Sequence, residues 1–372
     1  EGDGISDSRM DAGDSKNWAA QISARRDELT LKALFSEELG VVLQVPTASR
    51  SAVMQVLREH GLSKHSHFIG KTRPMQSPID KGKGELSIWR DAKEIFAAPL
   101  SDLHQVWDSV SWKICQQRDN PTCADAEHAS KGQPDDPGMH VHLPAGALDD
   151  VAATFIHKGA KPKVLVACGG FSYGDTLGAG IGWARSITFN PTLSEQMQAF
   201  FARSDTFGLG VCNGCQMFAE LADIIPGAQH WPRFTTNQSE RFEARLSMVE
   251  VLASPSVFFT GMAGARLPIA VAHGEGYANF SQRGDADQVL PAMRFVDHHG
   301  QATEAYPFNP NGSAGGLTAV TTADGRFTAM MPHPERVFRN VQMSWTDLHA
   351  TGGIDAYSPW MRIWRNARRW IG

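Results

Sequence analysis

The chain has 372 residues, of which 42% are hydrophobic and 20% charged, with a formal net charge of −5. That length allows two or three domains, and the acidic balance argues against a general nucleic-acid binder, which needs a basic face. No apolar run approaches the roughly 18–20 residues of a bilayer span, and five scattered cysteines suit a reducing cytoplasm rather than a disulfide framework.

The opening EGDGISDSRMDAGDSKNW is acidic and polar, unlike a signal peptide, and it lacks an initiator methionine, as expected of a fragment of something longer. Residues 1 to about 30 read as irregular. A helical pattern runs from Leu29 to Leu39, then Gly40 to Val45 reads as a short buried strand closed by Pro46. A second helix is expected from Ser49 to His60, with Gly61 as its left-handed cap, and His67-Phe68-Ile69 as a returning strand. From Arg73 to Gly159 the pattern is less regular. One helix is expected over Leu100–Asp119, with Leu103, Val106, Trp107, Val110 and Ile114 at helical intervals. The following RDNPTCADAEHASKGQPDDPGMHV reads as an extended connector, with Cys123 structural. No internal repeat or low-complexity tract stands out.

From Lys161 the texture changes. Val164 to Cys168 is a continuous apolar run, as in a parallel strand buried on both faces. It ends in the glycine-rich loop GGFSYGDTLGAGIGWA. Further strands are expected at Phe207–Val211, Arg241–Val251, Ile269–Val271 and Phe327–Met331. Strands mixed with helices point to an open α/β sheet whose site lies at the strands' C-terminal ends. The terminal SPWMRIWRNARRW carries an apolar stripe of Trp360, Ile363, Trp364, Ala367 and Ile371. Such a basic amphipathic helix suits a membrane surface or docking on the sheet equally.

Gly210-Val211-Cys212-Asn213-Gly214 has the form of a nucleophile elbow, in which glycines two positions either side relieve a sharp strand-to-helix turn. Cys212 then sits at a helix N-terminus that favours a thiolate, and the N–H of Asn213 points toward a developing oxyanion. A thiolate needs a base and the base an orienter; MMPHPERVF offers His333 and, two residues on, Glu335. Competing readings stay open at this point. Cys212 is also compatible with a buried core thiol and His333 with a structural histidine. CNGC, with Cys215 at the right interval, also reads as a C-x-x-C redox or half-zinc motif. Zinc needs further ligands; His273 or the pair His298-His299 are candidates, without a recognisable spacing.

GLGVCNGCQMFAEL, ACGGFSYGDTLGAGIGWA, WPRFTTNQSERFEAR, AHGEGY, YPFNPNGS and MPHPERVFR together closely resemble the glutaminase end of the large single-chain phosphoribosylformylglycinamidine synthases, members of the class I (triad) glutamine amidotransferases. The likeness is dense over 161–372 and looser back to about residue 30. It implies a flavodoxin-like, doubly wound, mostly parallel sheet over 161–372, a connector over 76–160 and an α+β remnant of a synthetase domain over 1–75. For the terminal helix it favours docking on the sheet. It also implies hydrolysis of glutamine through a triad of Cys212, His333 and Glu335. Oxyanion contacts fall to Gly170, Phe171 and Asn213, and weaker substrate-binding or pocket roles to Gln216, Arg241 and His273, with Asp175 a pocket residue or a turn-former. The implied partners are glutamine and the synthetase domain. The resemblance implies no cofactor or metal for this chain, while ATP and Mg2+ belong to the synthetase. This chain by itself is therefore not expected to make the purine intermediate, and a catalytically silent remnant is the rival reading. One departure stands out. AKPKVLVACGG joins two places that relatives separate by a strand–helix–strand unit. Val164–Cys168 can fill one strand slot but not two, and each buried backbone group left unpaired costs about 1–3 kcal/mol against a total stability of about 5–15.

Overall fold

A computed structural model describes residues 18–35, 37, 39–72, 84–90, 92–159, 163–170 and 178–372. The chain divides into two compact units, Glu1–Thr72 and Arg73–Gly372.

The first unit contains α1 (Trp18–Phe35) and α2 (Arg50–Glu59). α1 begins well before the expected helix, inside a stretch read as irregular. Its sequence is rich in strong helix formers (Ala, Arg, Leu, Lys, Glu), so propensity rather than an apolar stripe forms it. α2 falls where its periodicity placed it, and Gly61 follows it at φ +71°. The two expected strands, Gly40–Val45 and His67–Ile69, do not form. Val41, Val42, Phe68 and Ile69 are exposed; an apolar run becomes a strand only when a neighbour satisfies its backbone, and no described residue pairs with either.

The second unit opens with a hairpin, β1 (Glu85–Arg90) and β2 (Lys93–Pro99), which the irregular reading missed. α3 (Leu100–Arg118) matches its expected span, but its stripe of Val106, Trp107, Val110 and Ile114 is exposed. The buried member is Asp108, which holds Lys131 Nζ at 2.6 Å and His128 Nδ1 at 2.9 Å. Those partners lie at the end of α4 (Pro121–Ser130), a helix where an extended connector was expected. Asn120 and Pro121, residues that break many elements, are its start signal. Asn120 Oδ1 accepts the N–H of Cys123, and Pro121 occupies the first turn, where its missing N–H costs nothing.

The rest of the unit is a seven-stranded sheet with helices on both sides. In chain order come β3 (Val164–Ala167), α5 (Ala179–Thr188), α6 (Pro191–Ala202), β4 (Phe207–Val211) and α7 (Asn213–Glu220). Then follow β5 (Arg233–Thr235), β6 (Glu243–Val251), β7 (Arg266–His273), β8 (Tyr277–Asn279) and β9 (Leu290–Phe295). β10 (Leu317–Thr321), β11 (Phe327–Met330), α8 (Leu348–Thr351) and α9 (Met361–Ile371) complete the chain. The sheet order is β3-β4-β11-β10-β9-β6-β7, with β5 and β8 forming a separate ribbon. β3, β4 and β11 pair in parallel, with Ala167 opposite Gly210 and Met330 opposite Val211. The doubly wound, parallel character is concentrated in these three strands, while the four further pairings are antiparallel. β4 is buried along its whole length, as a strand covered on both faces must be. An added Cβ at Gly208 would touch the Phe218 ring of α7, whereas Phe207 packs on Trp370 of α9. Helices therefore cover opposite faces of the same strand. β3 lies at the sheet edge and pairs only with β4 among the described residues, with Val164, Leu165 and Val166 half-buried.

The sheet curls until its far edge meets its parallel end. The N–H of His333, just past β11, donates to the carbonyl of Ala270 in β7 at 2.8 Å. α9 docks as expected and holds β7 from behind, with Trp360 fully buried and its Nε1 donating to Pro268 O at 2.8 Å. No helix among the described residues is long and apolar enough to cross a membrane.

Candidate active site

Three loops at the C-terminal ends of the three parallel strands converge on Cys212. Cys212 follows β4 at φ +53°, ψ −111°, a conformation that non-glycine residues rarely adopt. Close packing requires the turn. A Cβ on Gly214 would come 1.9 Å from the carbonyl oxygen of Ala167, and one on Gly210 would come 2.5 Å from that of Gly214. The strand thus ends directly beneath the first turn of α7, whose opening N–H groups face the Cys212 end. The Cys212 N–H donates to Met330 O at 2.9 Å, tying the elbow to β11.

The loop after β3 approaches the thiol closely enough to exclude any side chain at Gly169. A Cβ there would lie 2.5 Å from Cε1 of His333 and 2.7 Å from Cβ of Cys212. Asn213 Nδ2 donates to Gly170 O, joining two of the residues expected around an oxyanion. Phe171 and Asp175, also singled out from the sequence, lie outside the described residues.

After β11, His333 is fully buried and its Nδ1 lies 2.6 Å from Oε1 of Glu335. A second ring completes the cluster: His273, at the end of β7 and 3% exposed, whose Nε2 lies 2.7 Å from Oδ1 of Asn311. Cys212, His273 and His333 each present one ligand-type atom, and the three lie within 4.8 Å of one another. Burial pushes the Cys212 thiol up, but the two imidazoles beside it outweigh burial and bring it down to about 6. For His333 burial acts downward, and the facing thiolate and Glu335 raise it to about 9. The favoured state is an ion pair of thiolate and imidazolium.

This combination of strained cysteine, oriented histidine and glycine-lined loop lies within residues 148–371, which match the model of the CobB/CobQ-like glutamine amidotransferase domain. The chain belongs to this glutamine amidotransferase family. Similar solved structures include PurLQS from Thermotoga maritima, at 23% identity over 54% of this chain and 78% of that one, with a TM-score of 0.38. A glutamine amidotransferase from the same organism is 16% identical over 48% of this chain and 60% of that one, with a TM-score of 0.28.

Within the amidotransferase domain the other expected site residues take supporting places. Gln216 is buried and donates from Nε2 to Phe234 O, Glu275 O and Glu275 Oε2. Glu275 Oε2 also accepts the N–H of Gly178, so this pair ties the AHGEGY loop to the start of α5. Arg241 is engaged with Asp119 at 3.2 Å and Glu243 at 3.7 Å, between α3 and the sheet. Cys215 is fully buried and free, and burial pushes its thiol well above the ordinary range, which makes it a poor redox partner for Cys212. Asn311 and Asn237 escaped the sequence reading. Asn237 donates to His273 O and accepts the N–H of Gly276, pinning the backbone on which His273 stands. The only signal for either was their presence in the strings WPRFTTNQSERFEAR and YPFNPNGS.

Proposed function

We propose that this amidotransferase domain is the glutaminase part of a phosphoribosylformylglycinamidine synthase. It would supply ammonia to a synthetase partner for the ATP- and Mg2+-dependent conversion of formylglycinamide ribonucleotide to its amidine. The observation that carries the hydrolytic reading is the thiol of Cys212, raised out of a strand end in strained backbone and facing a buried His333 that Glu335 orients. Sulfur attacks the side-chain amide carbon of glutamine. The carbonyl electrons move onto oxygen, near the N–H groups at the start of α7 and the glycine loop after β3. As the tetrahedral species collapses, the C–N bond breaks and His333 donates its proton to the departing nitrogen, releasing ammonia and leaving a glutamyl thioester. His333, now neutral, takes a proton from water, which attacks the thioester; glutamate leaves and the thiolate–imidazolium pair is restored. Glu335 holds the ring so that its other nitrogen faces sulfur throughout. The assignment to the synthase rests on the resemblance of the motif strings.

The test is release of glutamate from glutamine by the purified full chain, with and without Cys212→Ala. Hydrolysis that disappears in the variant, while both proteins melt cooperatively at similar temperatures, supports the reading. A cooperatively folded wild type that leaves glutamine intact favours the silent remnant, and hydrolysis surviving in Cys212→Ala removes the nucleophile.

A further inference from the structure

A hydrolytic triad uses one histidine, yet two rings face Cys212. His333 spends Nδ1 on Glu335 Oε1, and His273 spends Nε2 on Asn311 Oδ1. The remaining nitrogens, His333 Nε2 and His273 Nδ1, are both buried and without a hydrogen-bond partner. Two unpartnered nitrogens on rings that are 0% and 3% exposed demand a physical account. The outer contacts supply it. Once the facing nitrogen has released any proton, a ring whose other N–H is held by a carboxylate or amide oxygen presents a lone pair there, which is how zinc-binding histidines are held. Cys212 adds a thiolate, the softest ligand a protein offers.

From these residues we propose that Cys212 Sγ, His273 Nδ1 and His333 Nε2 form a three-ligand site for a thiophilic divalent cation such as zinc, whose binding caps the nucleophile and switches off glutamine hydrolysis. As the sulfur–metal bond forms, any proton on the thiol or the facing imidazole nitrogen passes to solvent; nothing is oxidised or reduced. A tetrahedral zinc ion brings its nitrogen and sulfur ligands to roughly 3.3–3.7 Å of one another, and the three atoms already lie within 4.8 Å of one another. Three protein ligands leave a fourth position for water. Occupancy follows from the donor set alone, whereas the inhibitory consequence rests on the glutaminase reading above.

Cobalt(II) serves as the probe, titrated without oxygen into the full chain freed of metal by chelation. One equivalent is expected to produce a sulfur-to-cobalt band in the near ultraviolet and strong visible bands of a four-coordinate ion, both lost in Cys212→Ala. His273→Gln, which removes one ligand, and Asn311→Ala, which releases its ring, are each expected to weaken binding at least about tenfold. X-ray absorption of the zinc-loaded wild type should show one sulfur and two imidazole nitrogens, deciding the matter even where a variant fails to fold. A missing sulfur-to-cobalt band, a band that survives in Cys212→Ala, or a shell with fewer than two imidazoles overturns the site. Glutamine hydrolysis is followed in parallel, with zinc added and then removed by EDTA. Intact hydrolysis without a cobalt band sinks only the metal site. A cobalt band in a protein that never hydrolyses glutamine sinks only the glutaminase reading. Hydrolysis unaffected by a bound stoichiometric ion overturns the switch.

Discussion

At Cys212 a positive φ, two flanking glycines and a pair of imidazoles act on one sulfur atom. Burial disfavours its charge, but His273 and His333 reverse that sign, bringing the thiol down to about 6 while His333 rises to about 9. The two groups titrate as a pair. On the proposed mechanism, raising the pH through about 6 removes the proton from sulfur and frees the nucleophile, so hydrolysis should climb there. Raising it through about 9 strips the imidazolium of the proton that ammonia needs on leaving, so hydrolysis should fall. The expected pH profile of kcat/KM on glutamine is a bell with limbs near 6 and 9; a rising limb near 9, where an unassisted thiol ionises, would mean that the rings do not act on Cys212. The G-x-C-x-G pattern and the His-Pro-Glu spacing made the thiol, His333 and Glu335 legible from the sequence. The closeness of His273 to Cys212 was not, because His273 lies 61 positions further along the chain, at the end of a different strand.

Among the elements, the elbow between β4 and α7 has little room for change. Gly214 lies under the end of β3, and the 1.9 Å approach of an added Cβ to Ala167 O leaves backbone as the only thing that can move. Gly214→Ala should therefore destabilise the domain by at least about 3 kcal/mol, at or beyond the upper end of ordinary overpacking. The measurement is a denaturant melt against wild type, with loss of under 1 kcal/mol showing that the elbow can open. The element errors share one physical origin. Gly40–Val45 and His67–Ile69 had strand-like composition but no partner strand, since β structure is a property of pairs. Pro121–Ser130 had breaker residues, but their position at the first turn turned them into a cap. The hairpin of β1 and β2 and the long α1 were passed over because neither shows a clean apolar period.

On the scale of the molecule, the site depends on the curl of the sheet. β7 is six places from β3 in sheet order, yet its end carries His273 back to the thiol, and the Ala270–His333 bridge closes the circuit. α9 holds β7 in that position through Trp360, whose ring is fully buried and whose Nε1 donates to Pro268 O. Trp360→Ala should cost about 3–5 kcal/mol, seen as a lower melting temperature, and should slow glutamine hydrolysis in the molecules that remain folded. An unchanged rate there would show that β7 keeps its place without α9. The sequence by itself determined the α/β class and the parallel strands around β4, and it singled out Cys212, His333 and Glu335 as candidates, because local spacing encodes strand ends, tight turns and neighbouring side chains. Only the tertiary structure decided that the sheet curls, that β3 stands at its edge among the described residues, and that a second histidine reaches the sulfur. Those are contacts between segments far apart in the chain, and no local pattern of residues records them.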